Sequence, residues 1–134
     1  MLKKIEHIGI AVKNLEESNK LFEKLFGKSN YKIETVESEG VSTSFFQLGE
    51  SKIELLQALN EESAIAKFIE NRGQGMHHIA YEVDDIVAEM KRLKEEGFHL
   101  LRNEPFRGAD NKLVCFIHPK TVNGVLIELC QEIK

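Results

Sequence analysis

The stretch Gly75-Met76-His77-His78-Ile79-Ala80-Tyr81-Glu82-Val83-Asp84-Asp85-Ile86 decides how this sequence folds. Strand side chains alternate between faces. His78, Ala80 and Glu82 therefore share one face, and Ile79, Tyr81 and Val83 share the other. The second set is an apolar face that needs a helix to cover it. Asp84 or Asp85 supplies the helix cap, and Ile86, Met90 and Leu93 supply its apolar stripe up to Gly97. The first set puts an imidazole on the more open face. A lone strand histidine is more often structural than ligating, but this one does not stand alone.

The pattern occurs twice. Sliding the chain by 71 residues puts His7 on His78, Ile8 on Ile79, Val12 on Val83, Leu15 on Ile86 and Phe22 on Leu93. Sliding it by 74 puts Ile53-Glu54-Leu55 on Ile127-Glu128-Leu129, and Gln57 on Gln131. The first half reads as a strand over 6–12 and a helix capped by Asn14 and ended by Gly27, with strands over 31–36, 41–48 and 52–59. Gly49-Glu50-Ser51 is a hairpin turn. Asn60 then opens a short helix, with Glu61 and Glu62 in its first turn and Ile65, Phe68 and Ile69 as its stripe.

The second half repeats the order, with strands over 76–83, around 99–102, over 113–118 and over 125–131, and a turn at 119–124. The expectation is an α+β fold of two tandem βαβββ modules, about 1–72 and about 73–134, whose curved mixed sheets enclose one metal-binding cleft. The period is too long and the copies too few for a solenoid.

At 134 residues the chain is one domain's worth of core. Its net charge of −4 argues against nucleic acid as a main partner. No stretch is apolar for long enough to cross a membrane, and the first residues lack a secretory leader's apolar region. Cys115 and Cys130 both fall in apolar strands and read as reduced, buried thiols of a cytoplasmic protein.

Each half offers one histidine on its first strand and one glutamate on its last. His7, Glu54, His78 and Glu128 thus form a candidate four-ligand site. Imidazole with carboxylate suits one divalent ion such as Co, Ni, Mn, Fe or Zn. Four protein ligands leave two octahedral positions for water or substrate oxygens. His77 competes with His78, but neighbours on a strand face opposite ways, and the superposition on His7 selects His78. His99 and His118 lack repeat partners and read as surface or loop residues, and Cys130 as packing. Arg72, Arg107, Lys112 and Lys120 read as ordinary surface charge.

Three stretches carry a family resemblance: Glu6-His7-Ile8-Gly9-Ile10-Ala11-Val12, Gly75-Met76-His77-His78-Ile79-Ala80, and Phe116-Ile117-His118-Pro119-Lys120 followed by Gly124-Val125-Leu126-Ile127-Glu128-Leu129. Over essentially its whole length the sequence resembles the vicinal oxygen chelate superfamily (glyoxalase, bleomycin resistance, dioxygenase). Within that superfamily it is similar to the methylmalonyl-CoA epimerases. The resemblance implies a glyoxalase-like fold, metal binding at the four positions above, a homodimer and an acyl-CoA thioester substrate. It implies metal-dependent epimerisation through an enolate, with Glu128 moving one proton and either Glu54, loosened from the metal, or a water as the partner on the opposite hand.

The sequence departs from one bacterial type of epimerase, which carries a catalytic glutamate aligned near Thr43. Here that strand reads Val41-Ser42-Thr43-Ser44-Phe45-Phe46, without a carboxylate. Glu54 falls where that type has a glutamine. The His/Glu/His/Glu set is equally that of bacterial glyoxalase I, a lactoylglutathione lyase acting on a hemithioacetal, which stands as the alternative activity. A ring-cleaving dioxygenase needs two His and one carboxylate, so a fourth ligand at Glu54 argues against it. A metal-free drug-binding module would not need the repeated ligands.

Overall fold

Two helices are started in the same way. Asn14 accepts a hydrogen bond from the Glu17 amide, and Asp85 from the Ala88 amide, each satisfying an amide that the first helical turn leaves open. In the computed structural model, which describes residues 1–134, these caps open α1 (Leu15–Phe26) and α3 (Ile86–Glu95). Around them run β1 (Leu2–Ala11), β2 (Lys32–Val36), β3 (Val41–Leu48), β4 (Ser51–Ala58), α2 (Ala64–Arg72), β5 (Gly75–Val83), β6 (Phe106–Arg107), β7 (Lys112–Ile117) and β8 (Ile127–Glu132). The order β-α-β-β-β appears twice, with α2 between the copies.

Packing makes two compact units, Ile8–His77 and Met1–His7 with His78–Lys134. Compact packing thus divides the chain inside β1 and β5, whereas the sequence repeat turns over near 72/73. In the Ile8–His77 unit, β3 pairs antiparallel with β2 and with β4. Gly49 takes φ 62° in the two-residue β3–β4 turn, a conformation that hairpin turns of this length require. One sheet face buries Phe46 and Leu55 with Val12 and Leu15, against Phe22 and Phe26 of α1. The other face packs Val41 and Leu56 with Ala11 against Ile65, Phe68 and Ile69 of α2.

In the other unit, β8 pairs parallel with β5 and antiparallel with β7, which carries β6. Val83, Cys115, Ile117, Ile127 and Leu129 bury the Ile86, Met90 and Leu93 stripe of α3, with Tyr81 packed alongside. This is the face that the opening stretch required a helix to cover.

Gln57 and Gln131, paired by the repeat, do the same work in both units. Gln57 Oε1 accepts the Leu15 amide at 2.6 Å, and Gln131 Oε1 accepts the Ile86 amide at 2.7 Å. Each last strand thereby fixes the start of its helix, which holds the strand carrying the glutamate in register with the helix.

Several expectations are corrected. Asn60 does not open the short helix. Its side chain accepts the Glu62 amide in a turn, and Ser63 is the cap, accepting from Ala66, so Glu61 and Glu62 precede the first helical turn. Both residue types cap well, and the later one wins. The segment 99–102 makes a single bridge, Leu100 to Ile117, and the short edge strand is Phe106–Arg107. The last strand begins at Ile127, because the Gly124 and Val125 amides are spent on Pro119 and Val122 carbonyls in the preceding turn.

Both cysteines are free and fully buried. Burial first, and the negative charge of Glu128 second, push the Cys115 thiol from an ordinary 9.0 up to about 12. An unfolded chain releases that proton near pH 9, whereas the folded chain holds it. Stability is therefore expected to fall as the pH rises from 9 toward 12. Native protein is expected to resist thiol reagents at pH 8, and rapid labelling of native Cys115 would contradict the burial.

Candidate metal centre

Strand geometry aims the candidate ligands. On β1, His7, Gly9 and Ala11 form the buried alternation, and on β5, His78 and Ala80 do. On β8, Glu128 lies directly across from Ala80 of β5 and from Phe116 of β7, so it shares the His78 face. The result is a cluster inside one unit. His7 Nε2 and His78 Nε2 are 3.0 Å apart, and Glu128 Oε1 lies 3.6 Å from the first and 3.2 Å from the second. All three residues are buried, at 4%, 5% and 6% exposure, too low for water to satisfy them freely.

The rings are oriented by their neighbours. The His7 ring meets that of His78 edge-on, with centroids 5.1 Å apart, and Phe116 closes on the other side of His78 at 5.9 Å. His7 Nδ1 donates to Glu6 Oε1 at 2.7 Å. That bond places a proton on Nδ1 and turns Nε2 toward His78 and Glu128, the usual arrangement behind a ligating imidazole. Glu6 is absent from the four-ligand reading, although its adjacency to His7 is visible in the sequence. Glu6→Ala is expected to weaken divalent-metal affinity about 10- to 100-fold while the fold survives, measured by metal titration. Unchanged affinity would remove the orienting role.

The electrostatics agree. Burial would push the Glu128 carboxyl up, but the His7 and His78 imidazoles override it and hold the group well below the usual carboxylate range. Two imidazole nitrogens 3.0 Å apart with a carboxylate beside them match what one cation with bonds of about 2.0–2.2 Å would bridge. The donor set therefore fits a divalent metal.

Glu54 lies on β4 in the other unit, buried at 5% exposure and paired across the strands with Phe45. Its neighbourhood matches that of Glu128, whose cross-strand partner is Phe116. Phe45 and Phe116 are themselves 71 residues apart, so the repeat extends to the aromatic beside each glutamate, a pairing that the sequence contains and the metal-ligand search passed over. His77 turns away from the cluster and packs edge-on against Phe68 at 4.9 Å. His99 and His118 stack on each other in loops, and His118 Nδ1 accepts the Lys120 amide.

The basic residues divide. Arg107 donates to Asn111, Arg72 lies over the Phe68 ring, and Lys120 is exposed. Lys112, expected as surface charge, is instead buried at 7%, with its Nζ 3.9 Å from Glu132. It alternates with Val114 and Phe116 onto the inner face of β7, where its stem is covered by the sheet.

The chain belongs to the Glyoxalase/Bleomycin resistance protein/Dioxygenase superfamily, which matches residues 6–116. Its fold is the glyoxalase-like α+β fold of that superfamily. Among its relatives, an ethylmalonyl-CoA/methylmalonyl-CoA epimerase from Cereibacter sphaeroides is 43% identical over 98% of this chain and 99% of its own. The mitochondrial methylmalonyl-CoA epimerase of Homo sapiens is 40% identical over 97% of this chain and 74% of its own. A solved structure of methylmalonyl-CoA epimerase in complex with methylmalonyl-CoA and NH4+ superposes with a TM-score of 0.95 at 32% identity, covering 98% of this chain and 96% of that one.

Proposed function

We propose that this protein interconverts the two configurations of methylmalonyl-CoA by removing and returning the proton on the carbon between thioester and carboxylate. The observation that carries this reading is the convergence of His7, His78 and Glu128 in a chain whose full-length relatives are epimerases of that thioester. Glu54 is the fourth donor of the ligand set. The ion is one of the divalent metals that suit imidazole with carboxylate: Co, Ni, Mn, Fe or Zn. When bound, such an ion supplies a Lewis acid where negative charge develops on the thioester oxygen.

The chain's own groups do the rest. His7 and His78, turned by Glu6 and Phe116, fix where the substrate's oxygens come to rest. The carbon between two carbonyl groups is acidic enough to lose its proton to a positioned carboxylate. Glu128 is that carboxylate on one hand, and Glu54 is a candidate for the other, provided it loosens from its ligand role. We assign the working form as a homodimer in the cytoplasm, where Cys115 and Cys130 stay reduced; no helix is long and apolar enough to cross a membrane.

The test is incubation in D2O, separately with methylmalonyl-CoA and with the methylglyoxal–glutathione adduct. Deuterium entering the α position of the CoA thioester alone is the expected result. Lactoyl thioester formed from the adduct alone would replace this reading with that of a lyase.

A further inference from the structure

A CoA thioester carries its reacting group and its charge at opposite ends. The acyl group sits at one end of a long uncharged pantetheine arm, and the phosphates sit at the other. A protein that takes the acyl group at His7, His78 and Glu128 therefore needs an apolar path leading away from them and a cation where the path ends.

Such a path starts at His78. Phe116 meets its ring edge-on at 5.9 Å, and the Phe106 ring lies 6.2 Å from that of Phe116. The guanidinium carbon of Arg102 lies 3.8 Å above the centre of the Phe106 ring. All four side chains belong to the compact unit that holds the three clustered donors. Strand register puts the aromatic steps on the donors' own face. Phe116 pairs with Glu128, and one row along, Phe106 pairs with Val114 and Val114 with Cys130. Alternate residues of a strand share a face, so Phe106, Val114, Phe116 and Glu128 do. Phe106 packs on Ala80, Val114 and Cys130, which makes that row apolar. From thioester sulfur to first phosphorus, CoA runs through about a dozen bonds, or ~15 Å at the reach of an extended backbone. The three steps from His78 to Arg102 cover a matching span.

The end of the path has the chemistry of an oxyanion site. At 3.8 Å the guanidinium lies flat on the Phe106 ring in a cation–π contact. Stacking engages its face, whereas its N–H donors lie in its plane as a fork that fits two phosphate oxygens. The ring also holds the side chain in place, which lowers the entropy lost when an anion binds. A second cation stands on the same face. Lys112 is the next inward residue of β7 after Val114, its side chain is only 9% exposed, and the Glu132 carboxylate stands off at 3.9 Å. That is beyond hydrogen-bond reach, so a closer anion would stabilise the buried ammonium. Arg107 alternates with Phe106 onto the other face and donates to Asn111.

We propose that Arg102, laid on Phe106, binds a phosphate of the CoA portion of the thioester, with Lys112 as the second cation of that subsite; this rests on the epimerase reading above. The Phe116–Phe106 face carries the uncharged arm between the phosphate and the clustered donors. Arg102 touches the substrate far from the reacting carbon, so it acts on binding and takes no part in proton transfer.

The experiment compares wild type, Arg102→Gln, Arg102→Lys and Lys112→Met on methylmalonyl-CoA and on methylmalonyl-pantetheine, which has the same acyl thioester and no phosphate. Calorimetric titration of the metal-free proteins with CoA itself gives a readout independent of turnover. Arg102→Gln is expected to raise KM for the CoA thioester and Kd for CoA about 10- to 100-fold, with kcat unchanged. Arg102→Lys should recover only part, because an ammonium lacks the fork. On the pantetheine thioester, Arg102→Gln and wild type should share one raised KM. Unchanged KM and Kd in Arg102→Gln, or an equal rise in KM on both thioesters, would overturn the assignment; the exposed position of Arg102 keeps this variant folded. A wild-type protein inert toward both thioesters would instead overturn the epimerase reading itself.

Discussion

Glu128→Gln is expected to lower kcat for α-proton exchange by on the order of 10³-fold or more, with KM for the thioester nearly unchanged. The variant keeps the shape and one oxygen donor of the native side chain, so it can still sit against His7 and His78 at 3.6 and 3.2 Å. It cannot accept and return a proton. Loss of turnover with metal retained separates proton transfer from ligation. Full activity would show that Glu128 has no essential part in the chemistry.

His78→Ala is expected to act earlier, on metal binding. A structural set of four ligands contributes roughly 10–16 kcal/mol of binding free energy, so one imidazole is worth about 3–4 kcal/mol, or two to three decades in Kd. The substitution also leaves Glu128, held well below the usual carboxylate range by its two imidazoles, facing His7 alone. Its effect on affinity should therefore exceed that of Glu6→Ala, which only reorients a ligand. Titration of the apo-protein with metal reads both. Equal affinity in His78→Ala and wild type would remove β5 from the site.

Much of this was legible in the sequence because the chain carries its pattern twice. The offset of 71 chose His78 over His77, and the structure places His78 against His7 and His77 against Phe68. The helix stripes and the caps Asn14 and Asp85 were legible because alternation and capping are local rules. What escaped depends on partners distant in sequence. Ser63 displaces Asn60 as a cap through the turn before α2, and Phe106–Arg107 takes the edge position that the sequence pattern gave to residues near 100. Lys112 reads as surface charge until the inner face of β7 covers it.

The measurement that reaches the central claim most directly is titration of metal-free protein with Co2+, followed by visible absorption and by X-ray absorption at the cobalt edge. One equivalent per chain should saturate a site with two imidazole nitrogens, the remaining donors being oxygen, and His7→Ala and His78→Ala, one from each half of the repeat, should each weaken it. A site indifferent to either residue, or no saturable site, would contradict the claim that both halves of the repeat hold one ion.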